Sequence, residues 1–192
     1  MKVTSIDAYL YRIPLPQVLS DSIHGDMPDF ELITARVRTS EGLEGLGYTY
    51  TVGRGGSSIL TMVVDDLAPL LIGSDPRQTE EAWNRMWWAI HWVGRGGVAS
   101  FAMAVLDVAL WDLKGKAAGE PLWRLLGGAS NRACAYAGGI DLFFSYDELR
   151  LQTERYLDGG FRAIKVKVGR DSLAEDVERL DLVRSIVGPS FP

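Results

Sequence analysis

Two lysines, two positions apart, are the residues of this sequence best suited to chemistry. Lys165 and Lys167 lie in the alternating run from Arg162 to Gly169. On a β-strand, whose side chains alternate with a period of two, both lysines point to one face and the aliphatic residues between them to the other. Two ammonium groups side by side on a partly buried face lower each other's affinity for a proton, so one amine can accept a proton near neutral pH. An ordinary surface strand with its lysines in water shows the same pattern.

The segments on either side of this run indicate how it is positioned. A helical pattern from Ser145 to Asp158 precedes it, and a second helical pattern from Ser172 to Val187 follows it. A strand between two helices belongs to a βαβ unit, in which helices cover the outer face of a parallel sheet. If the aliphatic face packs on these helices, the lysines point inward, towards the axis of a barrel.

The composition is that of a globular protein and suggests neither a nucleic-acid nor a membrane partner. Of the 192 residues, 47% are hydrophobic and 23% are charged, which is the usual balance of a soluble domain. The 20 basic and 25 acidic residues give a formal charge of −5, so there is no overall basic surface for nucleic acid. The single Cys134 cannot form an internal disulfide, and no apolar run resembles a signal peptide or a membrane span. We therefore expect a cytoplasmic location.

Three strands are predicted at the start of the chain. Alternating apolar and polar residues define them, and they run over Val3–Ile13, Glu31–Thr39 and Leu43–Tyr50. Pro14 and Pro16 are expected to end the first strand. Turn-forming residues from Gln17 to Asp29 predict a loop, and a second loop covers Thr51 to Ser57. The strands form a small antiparallel meander.

Helices follow the meander, and a different pattern follows the helices. The helical patterns cover residues 60–71, a segment opened by Ser74-Asp75-Pro76, Val98–Ala118 and residues 122–126. After Gly127-Gly128 the chain alternates strand, helix, strand and helix, with strands over Arg132–Ala137 and Ala163–Val168. Such alternation predicts a parallel sheet or a barrel. The sequence thus divides into an α+β domain, residues 1–127, and an incomplete barrel, residues 128–192.

Three stretches in order along the chain resemble the mandelate racemase/muconate lactonizing enzyme family of the enolase superfamily. They are the helical segment Leu106 to Lys116, the segment Pro121 to Gly128, and the strand Lys165-Val166-Lys167. Within that family, the sugar-acid dehydratases of the talarate/galactarate type look most similar. The resemblance implies an α+β capping domain, with a three-stranded antiparallel meander and helices, followed by the first βα units of a (β/α) TIM-type barrel. It also implies that the chain is a truncated piece of a longer enzyme.

The resemblance implies a reaction as well. In this superfamily a base removes the proton α to a carboxylate, and Mg2+ stabilises the resulting ene-diolate. Lys167 matches the general base and Lys165 its electrostatic partner. The first Mg2+ ligand would lie shortly beyond Pro192, so no metal ligand is expected in this chain, and the 192-residue piece alone is expected to be inactive. The expected reaction of the full-length enzyme is dehydration of an acid sugar, with racemisation or cycloisomerisation as alternatives.

By the same resemblance, two loops of the capping domain, Leu15–Asp29 and Tyr48–Ser57, would reach over a hydroxy-acid or acid-sugar substrate. His24, Tyr50 and Arg54 are the candidates in these loops for contacts to hydroxyl groups or a carboxylate, since an arginine fork suits a carboxylate. Each of the three could also be an ordinary loop residue. A homo-oligomer is expected because the family commonly forms symmetric multimers.

A repeated pentapeptide leaves a different class of function open. The letters Val-Gly-Arg-Gly-Gly occur at residues 52–56 and again at 93–97. A glycine-arginine loop before a helix can bind an anion, although neither copy has the spacing of a P-loop or of a dinucleotide-binding fingerprint. A non-catalytic fragment or an anion-binding module is therefore the alternative from another class.

Overall fold

The computed structural model describes all 192 residues, and the chain forms two compact units. The first unit comprises residues 1–14 and 29–131, and the second comprises residues 15–28 and 132–192. The division after Asn131 lies near the boundary expected from the sequence. Residues 15–28, which the sequence analysis assigned to the first domain, cluster with the second unit.

A long hairpin replaces the first predicted loop. Strand β1 spans Val3–Asp21 and strand β2 spans Gly25–Thr39, so the prediction of a loop over residues 17–29 is wrong. Pro14 and Pro16 do not end β1, because β1 is an edge strand of the three-stranded sheet. Residues two apart direct their backbone nitrogens to the same side of a strand, so both prolines can face the open edge, where no donor is needed.

The inner face of the sheet is built from β2 and β3. Strand β3 spans Glu44–Thr51 and pairs antiparallel with β2, with Ala35 opposite Gly47. Ile33, Ala35 and Val37 of β2 are fully buried, which confirms the face predicted from alternation.

A long helix packs directly on the glycines of β3. Helix α4 spans Val98–Ala118, with the predicted bounds. A Cβ atom placed on Gly47 would lie 1.9 Å from the carbonyl oxygen of Val105, and one placed on Gly45 would lie 2.1 Å from the carbonyl oxygen of Ala109. The helix can therefore approach the strand this closely only because neither position carries a side chain.

Shorter helices complete the first unit. They are α1 (Gly56–Thr61), a π-helical segment (Met62–Leu67), α2 (Ala68–Leu71), α3 (Thr79–Ala89) and, after α4, α5 (Leu122–Leu125). The prediction that Ser74-Asp75-Pro76 opens α3 is wrong. The Asp75 carboxylate accepts hydrogen bonds from the backbone nitrogen and Nε of Arg77, so these residues form a turn of their own before the helix begins. None of the chain's helices is long and apolar enough to cross a bilayer.

The second unit contains two strand–helix pairs with very short strands. Strand β4 is Ala137–Gly138 and strand β5 is Ile164–Lys165, so the longer strands predicted from residues 132 and 163 are wrong. The two strands pair in parallel, and each has only one neighbour in this chain to sustain its ladder. Helices α6 (Tyr146–Asp158) and α7 (Leu173–Val187) follow them with nearly the predicted extents. An α+β domain followed by the first βα units of a parallel arrangement is therefore confirmed.

Candidate active site

The β5 segment separates an aliphatic side from a lysine side. Ile164 and Val166 line a pocket together with residues of α7, including Leu180 and Val183. Lys165 is exposed on the alternate position. The period-two pattern therefore holds for Ile164, Lys165 and Val166, whereas Val168, predicted for the aliphatic face, is exposed.

Lys165 lies across β4 on this uncovered face. Its register partner is Gly138, and a Cβ atom placed on Gly138 would lie 3.8 Å from Lys165 Nζ. Lys165 Nζ is also 5.6 Å from the ring centroid of Tyr136, which is within the range of a cation–π contact. Tyr136 therefore belongs to the same face, and sequence analysis did not single it out. Tyr136 lies on the predicted strand Arg132–Ala137, two residues before Gly138, and this alternation could have placed it on the same face as Gly138.

Lys167 lies beyond the last ladder pair, and side chains hold the backbone there. The Lys167 N–H donates to Asp141 Oδ1 at 2.9 Å, and the Gly169 N–H donates to Asp176 Oδ2 at 2.8 Å. Both aspartates are buried. The end of the lysine strand is thus fixed by two carboxylates, one from the segment after β4 and one from the first turn of α7.

The turn between β1 and β2 carries His24. The Asp21 carboxylate accepts the N–H groups of Ile23 and His24 at 2.9 and 2.7 Å, and His24 Nδ1 lies 2.9 Å from Asp21 Oδ2. The His24 side chain is 48% exposed, so it can still contact a ligand. In the same unit, a Cβ atom placed on Gly169 would lie 3.4 Å from the hydroxyl oxygen of Ser22. The turn therefore lies close to Gly169, two residues after Lys167.

We expect the ordering of this turn to depend on pH below the usual range of an aspartate. Hydrogen bonds from His24, then from Ile23, lower the pKa of Asp21 from 3.8 to about 2. A depressed pKa stabilises the turn at pH values above 3.8, and this stabilisation is lost as the pH falls through about 2. The amide resonance of His24, followed by NMR, should titrate near the lower value and should not titrate in Asp21→Asn. A midpoint near 3.8 would show that the hydrogen bonds to Asp21 are absent in solution.

Tyr50 and Arg54 belong to the first unit, not to the unit that holds His24 and the lysines. Tyr50 is 55% exposed on β3, and its ring centroid lies 5.9 Å from that of Phe30. The loop predicted to begin at Tyr48 begins instead after Thr51, because β3 continues to that residue. Arg54 is exposed within that loop, before α1.

A buried carboxylate that sequence analysis did not single out anchors this loop. Glu31 is 5% exposed, and its Oε2 accepts hydrogen bonds of 2.8 Å from the Thr51 hydroxyl and from the Gly56 N–H. These bonds lower the pKa of Glu31, with a smaller contribution from Arg12. The signal was present in the alternation, since Glu31 shares its strand face with the buried Ile33.

The residues of this chain do not form a magnesium site. Mg2+ is held by carboxylate oxygens in proteins, but no group of three or more His, Cys, Asp or Glu side chains in residues 1–192 could hold a metal ion. The two carboxylates beside the lysine strand, Asp141 and Asp176, instead accept hydrogen bonds from the backbone.

A groove of the second unit lies away from the lysines. It has a volume of about 420 Å3 between the hairpin and α6, and it is lined by residues that include Leu15, Gln17, Glu148 and Tyr156. Neither lysine lines it. The candidate site is therefore identified by its two lysines and not by this groove.

Comparison with known proteins assigns the family. Residues 14–127 match the sequence profile of the mandelate racemase / muconate lactonizing enzyme N-terminal domain, which is more than half of the chain. The chain belongs to the mandelate racemase/muconate lactonizing enzyme family. The 3,6-anhydro-alpha-L-galactonate cycloisomerase of Streptomyces coelicolor is 55% identical over 183 residues, which are 95% of this chain and 51% of that protein. The L-talarate/galactarate dehydratase of Salmonella typhimurium is 35% identical over 168 residues, which are 86% of this chain and 42% of that protein.

Two solved structures resemble this chain over nearly its whole length. A racemase from Streptomyces coelicolor with bound magnesium has a TM-score of 0.96 and 53% identity, covering 99% of this chain and 53% of that one. The Salmonella L-talarate/galactarate dehydratase, liganded with Mg and L-lyxarohydroxamate, has a TM-score of 0.92 and 31% identity, covering 100% of this chain and 50% of that one. The chain thus spans about half the length of the relatives it matches. Magnesium, the cofactor expected from the sequence, is present in both relatives.

Proposed function

We propose that the protein to which this chain belongs removes the proton α to the carboxylate of a sugar acid, in a reaction that depends on Mg2+. The observation that carries this proposal is the pair of lysines two residues apart, Lys165 at the end of β5 and Lys167 just beyond it, in a chain 55% identical to a cycloisomerase of a sugar acid. Lys167 is the base that takes the proton. Lys165 is the neighbouring cation that attracts the substrate carboxylate.

The remaining candidates bind the substrate. Arg54 offers a planar guanidinium to a carboxylate, and His24 and Tyr50 offer hydrogen-bonding groups to hydroxyls. When bound, Mg2+ would supply positive charge to the carboxylate side of the substrate. No group of three or more His, Cys, Asp or Glu side chains in residues 1–192 could hold it.

Removal of the α proton can lead to two products by one kind of bond cleavage. After the proton leaves carbon 2 of a sugar acid, the C–O bond at carbon 3 breaks and the departing oxygen takes up a proton. The resulting enol then becomes a 2-keto acid, because carbon 3 gains a proton and the enol hydroxyl loses one. In an open-chain acid the oxygen departs as water, and the reaction is a dehydration. In a 3,6-anhydro acid the same oxygen stays tied to carbon 6, so the ring opens without loss of atoms and the reaction is an isomerisation.

Cycloisomerisation of an anhydro sugar acid is the second candidate, beside the dehydration expected from the sequence. It is favoured by the 55% identity to the Streptomyces coelicolor cycloisomerase, against 35% to the Salmonella dehydratase. In both dehydration and cycloisomerisation, Lys167 removes the α proton.

We also propose that residues 1–192 are inactive by themselves. Two parallel strands cannot close an eight-stranded barrel, so the face that carries the lysines stays open to water. Activity should appear in a completed enzyme, which we define as this chain joined to the half of the Streptomyces coelicolor cycloisomerase that it does not match.

The products distinguish the candidates. The completed enzyme is incubated with Mg2+ and either galactarate or 3,6-anhydro-L-galactonate, and the product mass is measured. We expect a 2-keto acid that is lighter than the substrate by one water for dehydration, or of unchanged mass for isomerisation, and no product with EDTA. The isolated 192-residue chain should give neither. A folded completed enzyme that acts on no sugar acid would refute the proposal.

A further inference from the structure

We propose that Asp141 is a positioning residue, a buried carboxylate that takes the place of a strand carbonyl and fixes the backbone of Lys167. The inference rests on the proposed function, because it assigns Asp141 a role only through the lysine that acts as the base. Nothing in the sequence motif that carries the lysines indicates this aspartate.

The ladder between β4 and β5 ends two residues before Lys167. The last paired residues are Gly138 and Lys165. A longer parallel neighbour would offer backbone carbonyl oxygens to the next N–H groups on the same edge of β5. The N–H of Lys167 instead donates to Asp141 Oδ1 at 2.9 Å. The Asp141 side chain therefore supplies the acceptor that the backbone of β4 does not provide beyond Gly138.

Asp141 is itself held tightly. Its side chain is completely buried, and its second carboxylate oxygen accepts a hydrogen bond of 2.7 Å from Gln152 of α6. Gly139 makes room for this arrangement, because a Cβ atom there would lie 2.5 Å from Asp141 Oδ2. A carboxylate with both oxygens engaged has little freedom to move, so the N–H that it accepts is fixed with it.

A buried arginine balances the charge of this carboxylate. Arg179 of α7 is 1% exposed, and its Nη2 lies 3.7 Å from Asp141 Oδ1 and donates to the Asp141 carbonyl oxygen at 2.6 Å. Arg179 Nη1 donates to the carbonyl oxygen of Phe144 at 2.8 Å. Asp141 thus joins the segment after β4, the end of β5, α6 and α7 at one point. One of the groups held there is the backbone N–H of Lys167, the proposed base.

The direct test is amide exchange in the 192-residue chain, labelled for NMR. In Asp141→Ala, the Lys167 amide should exchange about tenfold faster or more, since its charged acceptor is lost. In Asp141→Asn, which keeps an acceptor oxygen, it should stay protected. Gln152→Leu is the matched control, because it removes the other partner of Asp141 and leaves the Lys167 contact in place. Amides of α7, such as that of Val183, report whether the unit remains folded.

The outcomes are decisive even if the alanine variant unfolds. Unchanged exchange of Lys167 in a folded Asp141→Ala variant overturns the inference, and so does fast exchange in a folded Asp141→Asn variant. The wild-type chain provides a direct signature, a scalar coupling across the hydrogen bond between the Lys167 amide nitrogen and the Asp141 carboxyl carbon. Absence of this coupling in the wild type also overturns it.

Kinetics of the completed enzyme show whether Asp141 positions Lys167 or only stabilises the fold. Asp141→Ala should lower kcat while KM changes little, and Asp141→Asn should recover most of the loss, because a misplaced base affects the transition state more than binding. An equal loss in both folded variants would contradict a positioning role. If Lys167→Ala retains activity, the proposed function fails, whereas the amide measurements still decide where the Lys167 backbone is held.

Discussion

Replacing Lys167 with alanine is expected to abolish turnover by the completed enzyme. A positioned general base contributes about 10²–10⁴-fold to the rate, so kcat should fall by at least that range. KM should change little, because the base acts on the proton that moves in the transition state. The measurement is the steady-state rate of 2-keto acid formation, with circular dichroism to show that the variant is folded.

Two lysine variants serve as controls for this loss. Lys165→Ala should raise KM as well as lower kcat, since the proposal gives this residue a contact with the substrate carboxylate. Lys2→Ala, at an exposed position before β1, should leave both constants unchanged. A folded Lys167→Ala enzyme with wild-type kcat would show that Lys167 is not the base.

Gly47→Ala is expected to cause the largest loss of stability in the first unit. The added Cβ atom would lie 1.9 Å from the Val105 carbonyl oxygen and 2.7 Å from the Ala109 backbone nitrogen, and neither can move without shifting α4. Overpacking against side chains costs about 1–3 kcal/mol, and a backbone obstacle should bring the loss to at least about 3 kcal/mol. Urea unfolding, followed by circular dichroism, measures the change.

Gly96→Ala is the matched control for this substitution. A Cβ atom on Gly96 would meet nothing within 4 Å, so the free energy of unfolding should stay within about 0.5 kcal/mol of the wild type. Similar midpoints for Gly47→Ala and wild type would mean that α4 does not pack on β3 at the distance described here.

Helix extents followed from the sequence more closely than strand extents. Apolar periodicity and glycine defined Val98–Ala118, because a helix makes its hydrogen bonds within its own segment. Strands depend on neighbours that periodicity does not reveal. The edge position of β1 allowed it to continue through Pro14 and Pro16, and the single neighbour of β5 left it shorter than its alternating pattern.

The exposure of Lys165 could be predicted from the alternation, but the groups that hold the backbone of Lys167 could not. The alternation is a local property of one segment, whereas its hydrogen-bond partners are not. The hydrogen bond between Lys167 and Asp141 joins residues 26 positions apart, and Asp141 lies in a segment with no periodic pattern. Glu31 was open to prediction, since a carboxylate on an otherwise apolar strand face needs partners.

The proposed reaction begins with removal of the proton α to a carboxylate. Its most direct test is turnover by the completed enzyme of a sugar acid that carries deuterium on the α carbon. We expect a several-fold slower rate than with the unlabelled acid and release of the label to the solvent. Equal rates with the label retained in the product would contradict it.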